Sequence, residues 1–243
     1  MEQASFELYL GKVRNLSPST VRHYQESMRK IAKVLHGLGY HTYDSLYEID
    51  SYAELKRIES FLLRDKAFVE LDERGNRMYS AGLHRYMEFA QGKGFEKLGD
   101  ALSLIDKPCN VANGQHTKST NVANRDRIIV RQVLASEHFL CESDPNHKTF
   151  TSLAYRKPYM EGHHLIPLNV QDEFSNSLDV YANIVSLCPV CHRLLHYGME
   201  EDKKQILVRL FDERRDRLAD SGIHVGRKEF LEITSQTHRT TYQ

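Results

Sequence analysis

Two cysteines separated by two residues, Cys188 and Cys191, constrain the fold of this chain more than any other feature. A pair at this spacing forms one half of a tetrahedral zinc site, which needs two further ligands. Cys141 is the obvious third ligand, and the fourth is either His147 or Asp144. Imidazole is a commoner ligand than carboxylate in closed structural sites, so the sequence predicts a structural zinc ion bound by Cys141, His147, Cys188 and Cys191.

The segment around these cysteines explains why the chain would need a metal ion. It predicts only short strands and loops, which bury little apolar surface, whereas zinc binding contributes on the order of 10 kcal/mol to the folding of zinc-finger peptides. The N-terminus has no export-like basic and apolar segment, so we expect a cytoplasmic protein whose thiols bind metal instead of forming disulfides. The longest apolar runs are only a few residues, and we expect no membrane-spanning helix.

Four histidines predict a second, catalytic metal site. His163 and His164 are adjacent on a predicted strand over 159–165, so their side chains point to opposite faces. His192 and His196 are four residues apart on a predicted helix and share one face. A lone histidine is more often a surface or hydrogen-bonded residue, but four in this pattern favour a divalent ion that stabilises phosphate charge while one histidine activates water.

A polar, turn-rich stretch over 99–123 is predicted to link two domains. Residues 1–98 are predicted to form an all-helical domain. One helix runs from its start at Ser17-Pro18 to a cap at Gly37, and two others cover 53–68 and 76–91. Residues 124–243 are predicted to form a second domain. It begins with a helix over 124–136 that is capped by Asn124, followed by short strands and loops up to 187. A short helix then starts at Pro189, and further helices cover 201–220 and 226–233.

The charge of the chain is unevenly distributed although the net charge is zero. Arg22, Arg29 and Lys33 are spaced seven and four residues apart, so they form a basic stripe on one side of the first long helix. The sequence predicts that this stripe contacts double-stranded DNA, the alternative being an ordinary solvated face. Residues 141–200 hold more acidic than basic side chains, which suits a metal site better than a phosphate-binding surface.

The second domain resembles the HNH endonucleases over about residues 138–198. The resemblance rests on Glu161-Gly-His-His-Leu-Ile-Pro and on Asn183-Ile-Val-Ser-Leu-Cys-Pro-Val-Cys-His-Arg-Leu-Leu-His. It implies a ββα-metal fold, in which two strands and a helix surround one catalytic divalent metal ion. It implies the following roles: His164 as general base, His163 and His192 as metal ligands, Asn183 as the brace of the loop that orients the base, His196 as a third ligand or a neighbouring helix residue, and Glu161 as the partner of a ligand.

One departure from the family pattern concerns the zinc site. Relatives that bind zinc usually have two Cys-x-x-Cys pairs, whereas the first pair here reads Cys141-Glu-Ser-Asp144. The segment that continues to His147 resembles a variant in which histidine replaces the missing cysteine.

We therefore expect an α+β protein in which an all-helical DNA-binding domain precedes a zinc-stabilised ββα-metal HNH nuclease domain with C-terminal helices. We expect it to hydrolyse DNA with Mg²⁺ or Mn²⁺, without an organic cofactor, as a bacterial restriction or phage-defence enzyme. A homodimer is one way in which a single-strand-cutting site could cut both strands. The alternatives are a non-catalytic zinc-dependent DNA-binding module and a nicking or mobile-element HNH nuclease.

Overall fold

The computed structural model describes residues 2–40, 43–97, 105–111 and 127–239. The chain divides into two compact units, one of residues 1–98 with 126–132 and the other of residues 99–125 with 133–243. Among the described residues, no helix is long and apolar enough to cross a membrane. The expected α+β architecture is confirmed, because helices are combined with a two-stranded antiparallel sheet.

Among its described residues, the first unit is built from helices joined by short loops. Its helices are α1 (Glu2–Leu8), α2 (Pro18–Gly37), α3 (Tyr52–Leu62), α4 (Lys66–Arg74), α5 (Met78–Ala90) and the start of α6 (Ile128–Ser136). The side chain of Ser17 accepts the backbone N–H of Thr20 and Pro18 occupies the first turn, which explains why α2 begins there. Helices α2 and α5 approach closely at Gly82, where a Cβ atom would lie 2.9 Å from that of Ser27.

Two helix boundaries differ from the sequence-based expectation. The helix predicted over 53–68 ends at Leu62, because Asp65 accepts the N–H of Phe68 at 2.7 Å and caps a new helix, α4. Helix α2 continues through Gly37, and the left-handed turn beyond it falls on Gly39, with φ of 69°. Local capping therefore decides both boundaries.

The second unit contains the sheet and three further helices. Strands β1 (Glu161–His164) and β2 (Ile184–Leu187) pair antiparallel and are followed by α7 (Pro189–Tyr197), α8 (Glu200–Asp220) and α9 (Arg227–Arg239). All four residues of β2 are buried, and the rings of Phe211 and Phe230 stack at 4.4 Å between α8 and α9. The order of two strands and a helix confirms the ββα expectation and places β1 beside α7.

Part of the predicted linker packs on the second unit. In the stretch 105–111, the buried carboxylate of Asp106 pairs with Arg217 of α8, and the carbonyl of Cys109 accepts the N–H of Ser177 at 2.7 Å. The rest of the predicted linker, 99–104 and 112–123, lies outside the described residues, as does the predicted cap Asn124.

Candidate functional site

The structure brings the four predicted zinc ligands together. One ligand atom from each of Cys141, His147, Cys188 and Cys191 lies within 4.8 Å of the others. The Nδ1 atom of His147 is 3.5 Å from Cys188 Sγ and 3.4 Å from Cys191 Sγ. A tetrahedral ion with Zn–S bonds of about 2.3 Å and Zn–N bonds of about 2.0 Å has S···N edges of about 3.5 Å. The cluster, which we call the Cys/His cluster, therefore fits a structural zinc ion.

Of the two candidates for the fourth ligand, the structure places His147 in the cluster. Asp144 instead lies behind it, with Oδ2 at 3.6 Å from Nε2, the ring nitrogen that faces away from the cysteines. Hydrogen bonds from the backbone and side chain of Asn146 lower the pKa of Asp144. The carboxylate faces Nε2 from beyond hydrogen-bond length, while Nδ1 faces the two cysteines.

The start of α7 presents two of the cysteines to the cluster. Cys188 is the N-cap of α7, and its Sγ atom accepts the N–H of Cys191 at 3.4 Å. Without a cation, burial raises the pKa of Cys191 to about 12, so a neutral thiol is favoured there. Three buried sulfurs and one imidazole form a soft donor set, and among biological cations zinc matches it well.

Helix α8 supports the loop that carries the first cysteine, a feature that the sequence did not predict. Arg214 donates to Glu142 Oε2 at 2.5 Å and to Glu137 Oε1 at 3.0 Å, and Glu142 Oε1 accepts the N–H of Ser186 at 2.6 Å. Burial opposes the charge of Arg214, but the two carboxylates outweigh it and raise its pKa. Arg209 of the same helix donates to the carbonyl of Ser143. The loop that carries Cys141 is therefore fixed to α8 and β2.

The second cluster consists of His163, His192 and His196, which we call the three-His cluster. One nitrogen of each ring lies within 4.8 Å of the others, and the Nε2 atoms of His192 and His196 are 3.1 Å apart. Two ligand nitrogens about 2.1 Å from a common ion lie at about this separation. The arrangement brings the three predicted ligands of the catalytic metal together and includes His196, whose role the sequence left open.

A buried carboxylate orients one histidine of this cluster. Glu161 Oε2 lies 2.6 Å from His192 Nδ1, and the hydroxyl of Tyr159 donates to Glu161 Oε1 at 2.9 Å. An ionised carboxylate at this distance favours the Nδ1–H tautomer, which leaves the Nε2 lone pair for a metal ion. The sequence named Glu161 only as the partner of a ligand, and it gave no signal for Tyr159.

The proposed general base has a carboxylate partner that the sequence also missed. His164 Nε2 lies 3.0 Å from Asp179 Oδ1, whereas the neighbouring His163 joins the three-His cluster, so the two rings leave β1 in different directions as predicted. Asp179 belongs to the loop between the strands, where no periodicity or motif distinguishes it. Only the folded loop brings it to His164.

Asn183 braces that loop with three hydrogen bonds of 2.8 Å. Its amide donates to the carbonyls of Ile166 and Leu178, and its oxygen accepts the N–H of Ile166. The side chain is fully buried, so these bonds replace those that water would make. Because Leu178 precedes Asp179, Asn183 also fixes the part of the loop that faces His164.

The predicted DNA-binding residues Arg22, Arg29 and Lys33 lie on α2 in the first unit. All three are exposed, and Arg29 donates to the side chain of Gln3 at 3.3 Å. They form a solvent-accessible basic surface on that unit.

Comparisons with known proteins bear on the second unit. Residues 141–198, which include every ligand of both clusters, match the HNH endonuclease family. The type IV methyl-directed restriction enzyme EcoKMcrA of Escherichia coli (strain K12) is 34% identical over 87 residues, which is 36% of this chain and 28% of that enzyme. The chain thus spans less than a third of the length of this relative. No solved structure matches the chain significantly.

Proposed function

Because residues 141–198 form an HNH endonuclease domain, we propose that the protein is a metal-dependent DNA endonuclease that acts in restriction or phage defence. The observation that carries the proposal is the three-His cluster on β1 and α7, one of whose members, His163, precedes His164 in β1. His164 in turn faces Asp179. The similarity to a restriction enzyme supports the biological setting. Methylated DNA should be tested beside unmethylated DNA, because that relative is methyl-directed.

His163, His192 and His196 would hold the catalytic ion. When bound, a divalent ion supplies positive charge that stabilises the phosphate and the leaving oxygen during hydrolysis. Three imidazole nitrogens are a softer set than the oxygen ligands that Mg²⁺ prefers. We therefore expect Mn²⁺ to support faster cleavage than Mg²⁺.

His164 would act as the general base. With the Nε2–H donated to Asp179, the Nδ1 lone pair is free to accept a proton from the attacking water. The water oxygen forms a bond to phosphorus as the bond to the leaving oxygen breaks, and the leaving oxygen takes a proton from solvent. Asp179 stabilises the imidazolium that forms on His164.

Cleavage of plasmid DNA by zinc-loaded protein with Mn²⁺ or Mg²⁺ tests this proposal. We expect His164→Ala to lower the cleavage rate by at least about 100-fold, the usual contribution of a general base, without loss of folding. The matched control is His224→Ala, which removes an exposed histidine of the same unit and should cut like the parent. Undiminished cutting by His164→Ala would overturn the assignment of the base.

The rival function, a zinc-dependent DNA-binding module, needs the Cys/His cluster but not His164 or Asp179. It predicts that the parent binds DNA yet cuts neither methylated nor unmethylated substrate with any divalent ion. Nicking without linearisation would instead favour a single-strand-cutting enzyme. Linearisation that depends steeply on protein concentration would support a homodimer.

We propose that Arg22, Arg29 and Lys33 contact DNA phosphates from the first unit. Loss of three phosphate contacts should reduce the slope of log K against log salt concentration by about 3. A charge-matched control is the triple alanine variant of Lys66, Lys93 and Lys97, which are also exposed in that unit. Equal slopes for the two triple variants would contradict the assignment to α2.

A further inference from the structure

We infer that Tyr159 is a positioning residue of the three-His cluster, which acts by holding Glu161 in the orientation that fixes the tautomer of His192. The inference rests on the proposed function of that cluster. It concerns a residue that is not a ligand and that lies just before β1. Three features of the structure support it.

The first feature is the burial of the carboxylate. The side chain of Glu161 is only 7% exposed, and a charged group at such a depth needs hydrogen-bond donors on its oxygens. Tyr159 supplies one to Oε1 at 2.9 Å, and His192 faces Oε2 at 2.6 Å. The two contacts fix the rotation of the carboxylate, so Tyr159 holds Oε1 while Oε2 faces His192.

The second feature is the geometry of the imidazole. A carboxylate oxygen held 2.6 Å from Nδ1 of His192 favours the Nδ1–H tautomer, which leaves the Nε2 lone pair at 3.1 Å from His196 Nε2. If the carboxylate were free to rotate away from Nδ1, the Nε2–H tautomer of His192 would become populated. That tautomer has no lone pair to offer at Nε2, so metal affinity would fall with its population.

The third feature is the support of the tyrosine itself. Its ring stacks on Phe150 with centroids 4.6 Å apart and an interplanar angle of 18°, and its N–H donates to the carbonyl of Phe150 at 2.8 Å. The ladder continues with a bridge between Thr151 and Pro158. The hydroxyl is thus carried by a constrained loop that begins shortly after His147 of the Cys/His cluster. Through Tyr159, this loop is joined to the three-His cluster.

Binding of Mn²⁺ to the full chain with zinc already in the Cys/His cluster tests the inference. We expect Tyr159→Phe, which removes only the hydroxyl, to weaken Mn²⁺ binding about tenfold while the zinc content stays unchanged. The matched control is Tyr155→Phe in the same loop, whose ring packs on Phe139 at 5.3 Å and which should bind Mn²⁺ like the parent. Glu161→Gln is a second variant, which should weaken binding at least as much.

A spectroscopic measurement separates positioning from a merely structural effect. In protein with ¹⁵N-labelled histidine and no added Mn²⁺, His192 of the parent and of Tyr155→Phe should show the Nδ1–H tautomer. Tyr159→Phe should show a mixture of both tautomers. Unchanged tautomer and Mn²⁺ affinity within twofold of the parent would overturn the inference, even if the protein cuts DNA. If the parent cuts no DNA, but Tyr159→Phe shows the tautomer shift and weaker Mn²⁺ binding, the proposed function is overturned and the inference stands.

Discussion

The two ligand clusters of the second unit share helix α7 but are built for different purposes. The Cys/His cluster joins distant parts of the chain, since His147 and Cys191 are 44 residues apart, and its sulfurs are buried. The three-His cluster draws on β1 and α7, which pack together, and one of its histidines, His192, faces a buried carboxylate that accepts a tyrosine hydroxyl. We therefore expect the first cluster to constrain the fold over a long range and the second to depend on a fold that forms without it.

Loss of one cysteine should expose this difference most strongly. We expect Cys188→Ser to abolish zinc binding and unfold the second unit, because zinc contributes on the order of 10 kcal/mol to folding in sites of this kind. Thermal melting and zinc content per chain measure the effect. His192→Ala, at the other cluster, should melt within a few degrees of the parent.

The control for this experiment is Cys109→Ser, which alters a cysteine outside both clusters. It should retain one zinc ion per chain and the melting temperature of the parent. If Cys188→Ser also melted like the parent with its zinc content unchanged, the Cys/His cluster would not be the structural site.

The support that α8 gives to the loop that carries Cys141 should have the next largest effect. Arg214 is 5% exposed and is paired with Glu142, so Arg214→Met leaves a buried carboxylate without its cation and should cost about 3 to 5 kcal/mol. Chemical denaturation measures the loss. Arg215→Met, which removes an exposed cation one residue away, should change stability by less than about 0.5 kcal/mol.

The pH dependence of this loss follows from the buried carboxylate. Burial raises the pKa of Glu142 and Arg214 opposes that rise, so removal of Arg214 should raise the pKa further. A carboxyl group whose pKa is higher in the folded than in the unfolded state lowers the free energy of unfolding at high pH. This loss of stability disappears as the pH falls and the group takes up a proton. The cost of Arg214→Met should therefore be smaller at about pH 5 than at about pH 8, and a pH-independent cost would contradict this origin.

The ligands that lie at or on α7 could be predicted from the sequence because their geometry is local. Cys188 and Cys191 meet at a helix start, and His192 and His196 meet one turn apart on the same helix. The order of two strands and a helix was expected from the resemblance to the HNH endonucleases. Helix α4 was missed because the apolar pattern runs on past the cap at Asp65.

The partners of the ligands could not be predicted, because tertiary folding alone brings them together. Arg214 is 72 residues from Glu142, and Asp179 reaches His164 only through a loop whose path is fixed by Asn183. Tyr159 is close to Glu161 in sequence, but no pattern of residue types marks the hydroxyl as a donor. Spacing reports which atoms can bind a metal ion, and only the packed structure reports what orients them.

The smallest effect is expected at Asp144, one of two carboxylates that face the histidines of the clusters. Glu161 is buried and lies 2.6 Å from His192, whereas Asp144 is half-exposed and lies 3.6 Å from His147, beyond ordinary hydrogen-bond length. Solvent screens the second pair, so Asp144→Asn should weaken zinc binding by less than about threefold, whereas Glu161→Gln weakens Mn²⁺ binding about tenfold or more. Competition with a zinc chelator measures the first and calorimetric titration the second. A tenfold loss of zinc affinity in Asp144→Asn would show that the exposed carboxylate orients His147 as strongly as the buried carboxylate orients His192. Solvent screening would then not explain the difference between the two clusters.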